Sequence, residues 1–484
     1  MSPETVSDPR RWKALFVLCL IQFMLILDVT VVNVALPHIQ SSLKVSNADL
    51  AWVVDAYVLA AGGLLLLGGR LADLLGRRAM FLAGVAIFGL ASATCGFAVG
   101  GDMLIISRFV QGLGEALAAP ASLGLIAVLF HDPRERIKAL GAFGGVAGLG
   151  GTTGTVISGF LVQWADWRWV FFINIPVALI ALVLVPMLVS ESKAMAAHRP
   201  DFLGAITGTV GLIGIVYGLL SASTDPWGSS RVLLPLIGGV ALIVLMVLIE
   251  ARSSDPLIPL DFFKNRTRVV TNIVTLFFSS AFFSYFFLLT LVEQQHLGWS
   301  PIQGGLSYLP FGLSIGAAIG LGTALMPRVG VKRLLAVGFF LDAVGLALTS
   351  SISTDTNYWS QILPGMLLLG VGSGLSFPAI GNAALHEVTG EDSSLASGVQ
   401  QAFQQIGGAI GLATLATLAV RYSKSHIGIH GPDFIGGTVM SFRIGVVLLA
   451  VGGVAVLVFL EHVRAVPRNP MAEVVALEAE EGVA

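Results

Sequence analysis

Charge is scarce in this chain. Asp, Glu, Lys and Arg make up 12% of its 484 residues, against about 25% in a soluble domain, so little of its surface is built to face water. The 27 basic and 29 acidic residues nearly cancel, to a net −2. With so little net charge, nothing suggests nucleic acid or another polyanion as a partner. Cysteine is almost absent: Cys19 and Cys95 both sit inside apolar runs, so neither a disulfide framework nor a metal cluster is expected. The eight histidines lie mostly in loops and show no His-Glu-x-x-His spacing, which argues against a membrane-embedded metalloenzyme. No Gly-x4-Gly-Lys-Ser/Thr loop occurs, so ATP has no seat here. The chain is not expected to be an enzyme and needs no cofactor. Its energy must come from an ion gradient or from the substrate's own gradient.

What is abundant is apolar surface: 55% of residues are hydrophobic and mean hydropathy is +0.86. A bilayer core takes about 20 mostly apolar residues per helix. Runs of that kind cover 14–37, 51–69, 79–99, 104–130, 139–163, 170–190, 203–221, 232–250, 269–292, 305–326, 334–352, 361–385, 396–420 and 440–461. About 14 spans put both termini on one side. The first run is too long for a signal-peptide core and lacks a small-x-small cleavage site, so it reads as a retained helix.

Basic residues then set the orientation. Arg10, Arg11, Lys13, Arg70, Arg77, Arg78, Arg134, Arg136, Lys138, Lys193, Arg199, Arg252, Lys264, Arg266, Arg268, Arg328, Lys332, Arg333, Arg464 and Arg468 all fall on the side of the termini. Only Lys44, Arg168, Arg231, Arg421 and Lys424 fall on the other. Both termini are therefore expected in the cytoplasm of a multi-pass cell-membrane protein. The loop around His386–Asp392 is the exception, with Glu387, Glu391 and Asp392 and no Lys or Arg.

The second span runs into Gly69-Arg70-Leu71-Ala72-Asp73-Leu74-Leu75-Gly76-Arg77-Arg78, and Gly322–Arg333 after the tenth span is a degraded echo of it. A loop repeated at matching places is what a duplicated transporter fold produces. Its glycines permit a tight turn and close helix crossing. Gly69, Asp73, Gly76, Arg77 and Arg78 are the candidates for a clamp released during conformational exchange.

Five segments together resemble the major facilitator superfamily, specifically its 14-helix drug:proton antiporters. They are the Gly69–Arg78 loop, Leu27–Pro37, Arg108-Phe109-Val110-Gln111-Gly112, Trp167–Pro176 and Asp255–Leu260. The resemblance implies an all-α fold with two six-helix bundles and two extra helices between them. The division expected is 1–190, an inserted pair over 191–264, a second bundle over 265–464, and a disordered cytoplasmic tail over 465–484. It implies proton-coupled efflux of hydrophobic or cationic drugs, with protons as the coupling ion and the chain working as a monomer. One departure bears on exchange: the fifth helix of such antiporters carries a Gly-Pro pair, where this chain has Gly154-Thr155 and then Ser158-Gly159. Export or uniport of a metabolite or lipid stays open as an alternative, with a membrane-embedded enzyme or a sensor as remote ones.

Carboxylates within the spans are the candidate chemistry, because an ionised, unpaired one costs several kcal/mol in a bilayer. Asp28 lies about 21 Å along the first span from its inner end, and the family also has an acidic residue there. With Arg108 and Glu115 it makes the expected proton-coupling set. Arg108 and Glu115 stand two turns apart on nearly one helix face, and Arg108 can pair with Asp28 or Asp55. Asp55 is read near the outer end of the second span, where cation recognition and a water-exposed interfacial carboxylate are both open. It joins Asn33, Tyr57, Phe282, Tyr285, Gln294, Gln404 and Asp342 as the candidate substrate-binding set. Phe277, Phe278, Phe282, Phe283, Tyr285, Phe286 and Phe287 make the ninth span aromatic-rich, and one face is expected to line a pocket. Gln400, Gln401, Gln404 and Gln405 read as interhelical hydrogen-bond donors or as pocket lining. Glu293 is placed at a solvated outer end, and Arg443 is expected to snorkel.

Overall fold

Lipid offers no hydrogen bonds to a peptide group, so an apolar run that crosses it must satisfy its backbone internally as a helix. The computed structural model describes residues 10–130, 132–192, 201–253, 256–258, 260–388, 393–428 and 431–461. The expected tail over 465–484, and Lys193, Arg199, Asp255, Glu391, Asp392, Arg464 and Arg468, lie outside the described residues.

The helices are α1 Arg11–Leu43, α2 Asn47–Leu75, α3 Arg77–Gly96, α4 Gly101–Leu129 and α5 Pro133–Trp164. They continue as α6 Trp169–Leu188, which is interrupted at Ile173, then α7 Phe202–Ser221 and α8 Ser230–Glu250. The remainder are α9 Arg266–Leu291, α10 Pro301–Val329 with a break at Tyr308, and α11 Val331–Thr349. Last come α12 Leu363–Ala384, α13 Ser393–Ser425 and α14 Phe434–Phe459. A π turn, Val292–His296, prolongs α9, and a second, Tyr358–Ile362, precedes α12. A two-residue antiparallel pairing, Ile427–Gly428 with Gly431–Pro432, joins α13 to α14.

Among the described residues twelve helices are long and apolar enough to cross a membrane. The other two expected spans are also helical and pack lengthwise among the twelve. Glycine and threonine dilute the apolarity of α5, and α11 carries Lys332, Arg333 and Asp342. Helix starts are set by side chains that take up orphan N–H groups. Asp201 accepts from Gly204 N at 2.8 Å, Asn265 from Arg268 N at 3.0 Å, and Ser300 with Gln303 forms a capping box. Large apolar side chains such as Phe16, Leu90, Val183, Leu234 and Leu313 point outward, as a lipid-facing surface requires.

In the first half α1 packs on α5 and α6, and α4 lies between α2 and α3. In the second half α9 packs on α13 and α14, while α12 lies between α10 and α11. The halves meet along two seams, α2 with α13 and α5 with α10, and α7 is wedged against α2 and α13. Small residues let these axes approach: a Cβ on Gly62 would strike Gln405 of α13, and one on Gly63 would lie 2.7 Å from Thr209 of α7. The expected small face of α5 is used the same way, with Gly150 against Ile26 and Gly154 against Thr30 of α1.

The seam between α5 and α10 is uneven. At the end opposite the Gly69–Arg78 loop it is tight, with a Gly159 Cβ position 2.9 Å from Pro301 O and a Gly305 one 2.5 Å from Thr155 O. Toward the loop end it parts: Gly141, Gly144 and Gly145 of α5, and Gly316 and Gly320 of α10, have nothing within 4 Å of a Cβ position. This seam is thus shut at the far end and parted at the end that carries the basic loops, while α2 and α13 still touch there, with a Gly398 Cβ position 2.8 Å from Leu66.

Candidate transport site

Asp28 sits mid-helix in α1 and is completely buried. Its Oδ2 pairs with Arg108 Nη1 of α4, while its Oδ1 accepts from Gln111 Nε2 and from Asn174 Nδ2, each at 2.8 Å. Arg108, 1% exposed, also donates to Val53 O of α2 at 3.0 Å and to Gln111 Oε1 at 2.7 Å. Gln111 in turn donates to Ser92 Oγ of α3 at 2.7 Å. One carboxylate thus ties together side chains from α1, α3, α4 and α6, and its charge is matched by a guanidinium. Thr30 and Asn33 are not among its partners; both turn back to carbonyls of α1, Leu27 O and Val29 O. Tyr57 lies under the guanidinium, which is 4.1 Å from the ring centroid, a cation–π contact in a desolvated place.

The structure resolves the choice of partner for Arg108: it takes Asp28 and leaves Asp55. Asp55 is completely buried and both its oxygens lack a hydrogen-bond partner, so the reading of it as a water-exposed interfacial group is wrong. The reason is that α2 begins at Asn47 rather than at 51, which sinks Asp55 two turns into the bundle on the face shared with Gly62. Glu115 is not the partner of Arg108 either; its Oε2 stands unpaired at a buried position. Glu293 departs most from expectation. It is completely buried on the π turn, not solvated at a helix end.

In the second half Asp342 of α11, 1% exposed, accepts from Ser373 Oγ of α12 at 3.0 Å and keeps Oδ2 unpartnered. It borders a narrow pocket whose other walls include Phe278, Phe282, Tyr285 and Phe286 of α9 with Phe311 of α10. Phe282 is the hub of this aromatic group, 4.9 Å from Phe286 and 5.9 Å from Phe311 between centroids. Gln294 lies elsewhere, donating across the halves to Val34 O of α1 at 2.9 Å. Gln404 meets Gln400 at 3.5 Å on α13, and Gln405 fills the α2–α13 seam. Arg443 is exposed, as a snorkelling arginine would be.

The Gly69–Arg78 loop closes on itself and on α6. Arg77 donates to Asp73 Oδ1 at 2.9 and 3.1 Å. Gly76 has φ +122°, a conformation that side chains resist, and Gly330 of the echo has φ +86°. Close helix contact falls to Gly68, whose Cβ position overlaps Ala116 of α4, while Gly69 makes only ordinary contact with Pro120. Glu191, just past α6, accepts from Arg78 N at 3.0 Å and Ala79 N at 2.9 Å, capping α3. Arg78 also donates to Val189 O at 3.1 Å.

Sequence reasoning did not single out Gln111, Asn174, Ser92 or Glu191. Gln111 and Asn174 stand inside the Arg108–Gly112 and Trp167–Pro176 segments, so a signal existed; its chemical meaning appears only when both amides reach Asp28.

Comparison with known proteins agrees with this architecture. The puromycin resistance protein pur8 of Streptomyces alboniger is 38% identical over 454 residues, covering 91% of this chain and 90% of that one. The lincomycin resistance protein of Streptomyces lincolnensis is 38% identical, with 88% and 87% covered, and the cephamycin export protein CmcT of Amycolatopsis lactamdurans 33%, with 90% and 91%. Among solved structures, the inward-open xylose transporter XylE from E. coli superposes with a TM-score of 0.64 at 15% identity, covering 94% of this chain and 98% of that one. The family model for the Major Facilitator Superfamily matches residues 18–412 and again 273–479. With this match and relatives of such identity, the chain belongs to the major facilitator superfamily.

Proposed function

We propose that this protein exports hydrophobic or cationic antibiotics and drugs across the plasma membrane in exchange for protons, with both termini in the cytoplasm and the monomer as the working unit. The observation that carries the proposal is the buried Asp28–Arg108 pair at the meeting point of four helices. Support for the cargo comes from relatives whose names record resistance to puromycin and lincomycin and export of cephamycin.

In this reading the halves 1–190 and 265–464 rock about their two seams, with 191–264 as the inserted pair. Ionised Asp28 neutralises Arg108. A proton arriving on Asp28 from the outer side removes that neutralisation and leaves the guanidinium held by Val53 O, Gln111 and the Tyr57 ring. The cavity then carries an uncompensated positive charge, which repels a cationic substrate at the moment it must leave. Losing the proton inward restores the pair, and the nearby carboxyl of Glu115, with Asp55 on the α2 face toward α13, again favours a cation. Proton and substrate thus compete through charge, as antiport requires. The aromatic pocket beside Asp342 holds only about 10 Å³ in this state, so in this reading its rings part before a flat apolar cation can meet their faces and the one carboxylate.

Uptake into everted membrane vesicles, energised to an acid interior, tests the cargo with puromycin, lincomycin, a cephamycin and cationic dyes. Accumulation of at least one of these that collapses with the pH gradient is expected. No accumulation of any of them, with the protein shown to be folded, contradicts the reading.

A further inference from the structure

The far-end closure between the halves is built around a carboxyl that the coupling scheme does not use. Glu293 is completely buried on the π turn after α9, a helix irregularity that often marks function. The next two residues make the cross-half contacts: Gln294 donates to Val34 O of α1 at 2.9 Å and Gln295 to Gln40 Oε1 at 2.6 Å. The gate contact and the acid therefore share one turn.

Hydrogen counting fixes the form of the acid. Its hydrogen-bond partner among the described residues is Ser307 Oγ, at 3.1 and 3.2 Å from the two carboxyl oxygens. Ser307 Oγ also lies 2.7 Å from Gly304 O. A hydroxyl has one proton. A carbonyl oxygen cannot supply one, so the shorter contact takes the Ser307 proton, and the serine must accept from the carboxyl. That contact is attractive only when Glu293 carries a proton. Among the described residues no ion pair compensates the charge it would otherwise hold. The other titratable side chains around it are Tyr285 of α9, Tyr308 of α10 and Tyr358 ahead of α12, and a phenol carries no charge at neutral pH. His296 of the π turn is stacked on Phe434 of α14, next to Asp433, and His38 of α1 is within reach of the charge of Asp166.

We propose that Glu293 is a proton-operated latch of the outer gate: the gate closes on the protonated carboxyl and reopens as that proton returns to the outer solution. The proton taken up on closing and the proton lost on opening are the same one on the same side, so the latch senses external pH without adding to transport stoichiometry. The inference rests on the orientation given under the proposed function. Because the closed gate binds the extra proton, closure is favoured at low external pH and is lost as pH rises through the titration of this group.

Spin labels at exposed Ser42 and Thr354, read by pulsed electron resonance in nanodiscs from pH 5 to 9, report the closed-to-open ratio. The parent is expected to lose closure with pH, and Glu293→Gln, which keeps the donor without the titration, to show a slope shallower by one proton, about tenfold per pH unit. Ser307→Ala provides an independent arm: without its acceptor the closed state weakens, and the closing midpoint falls by about one pH unit. Equal slopes for parent and Glu293→Gln overturn the latch, as does an unmoved midpoint in Ser307→Ala. A parent ratio that pH never moves overturns it too, while leaving alternating access intact. A single fixed distance in every condition contradicts alternating access itself.

Discussion

Asp28→Asn separates two jobs that the structure merges in one side chain. Asparagine is nearly isosteric and imitates a permanently protonated acid, so on the coupling argument it must abolish exchange. The structure adds a cost. Arg108 is 1% exposed and Asp28 0%, and the substitution leaves the guanidinium charged, dry and without its counter-ion. Breaking a buried pair from one side costs about 3–5 kcal/mol. The remaining contacts to Val53 O and Gln111 Oε1 recover part of this, which puts the loss at the lower end of that range. Arg108→Met in the same chain removes the stranded charge, so Asp28→Asn with Arg108→Met is expected to regain most of the stability and none of the coupling. Denaturant titration in micelles, alongside dye accumulation in proteoliposomes, reads both quantities on each variant. If Asp28→Asn is as stable as the parent, or if the double variant recovers pH-driven accumulation, the ion pair is neither the structural nor the coupling element described.

Asp73→Asn removes a half-exposed ion pair with Arg77, so stability changes by no more than about 1 kcal/mol; turnover is expected to fall several-fold with substrate affinity unchanged, and a large affinity loss at normal turnover refutes the clamp. Gly305→Val places a branched side chain where even a Cβ lies 2.5 Å from Thr155 O; it is expected to prop the far end open, abolishing transport while substrate still binds from that side. Asp55→Asn deletes a buried carboxyl that has no hydrogen-bond partner, so stability is expected to hold or rise. Export of dications should weaken more than that of monovalent or neutral compounds, since a second carboxylate attracts mainly the extra charge. Equal loss for all three classes argues against Asp55 in cation recognition.

The spans were legible because lipid leaves a chain so few options: an apolar run long enough to cross becomes a helix, and all 14 runs did. The turn glycine Gly76 was also readable, since nothing else tolerates its φ. Depth was not readable from composition. Asp55 reads as interfacial because the apolar run starts only at 51, whereas the helix begins at Asn47, capped by Ser46, whose Oγ accepts from Asp49 N at 3.2 Å. Glu293 looked solvated because the ninth run ends at 292; the π turn carries the helix on to His296 and folds the acid beneath α10. The partners of Asp28 come from positions 83 and 146 residues away, and no periodicity along one helix encodes a meeting of that kind. Glu191 was hidden for the same reason, lying 113 residues from the amide it caps.

The central claim is that a proton gradient acting at Asp28 drives substrate against its own gradient. Its most direct measurement uses purified protein in proteoliposomes with an imposed pH difference, following internal pH and a fluorescent cationic substrate together. The parent should move protons and substrate in opposite directions, each flux stopping when the other is withheld, and Asp28→Asn combined with Arg108→Met should show neither. Substrate accumulation that persists without a pH difference, or proton-coupled exchange that survives in the double variant, contradicts the account.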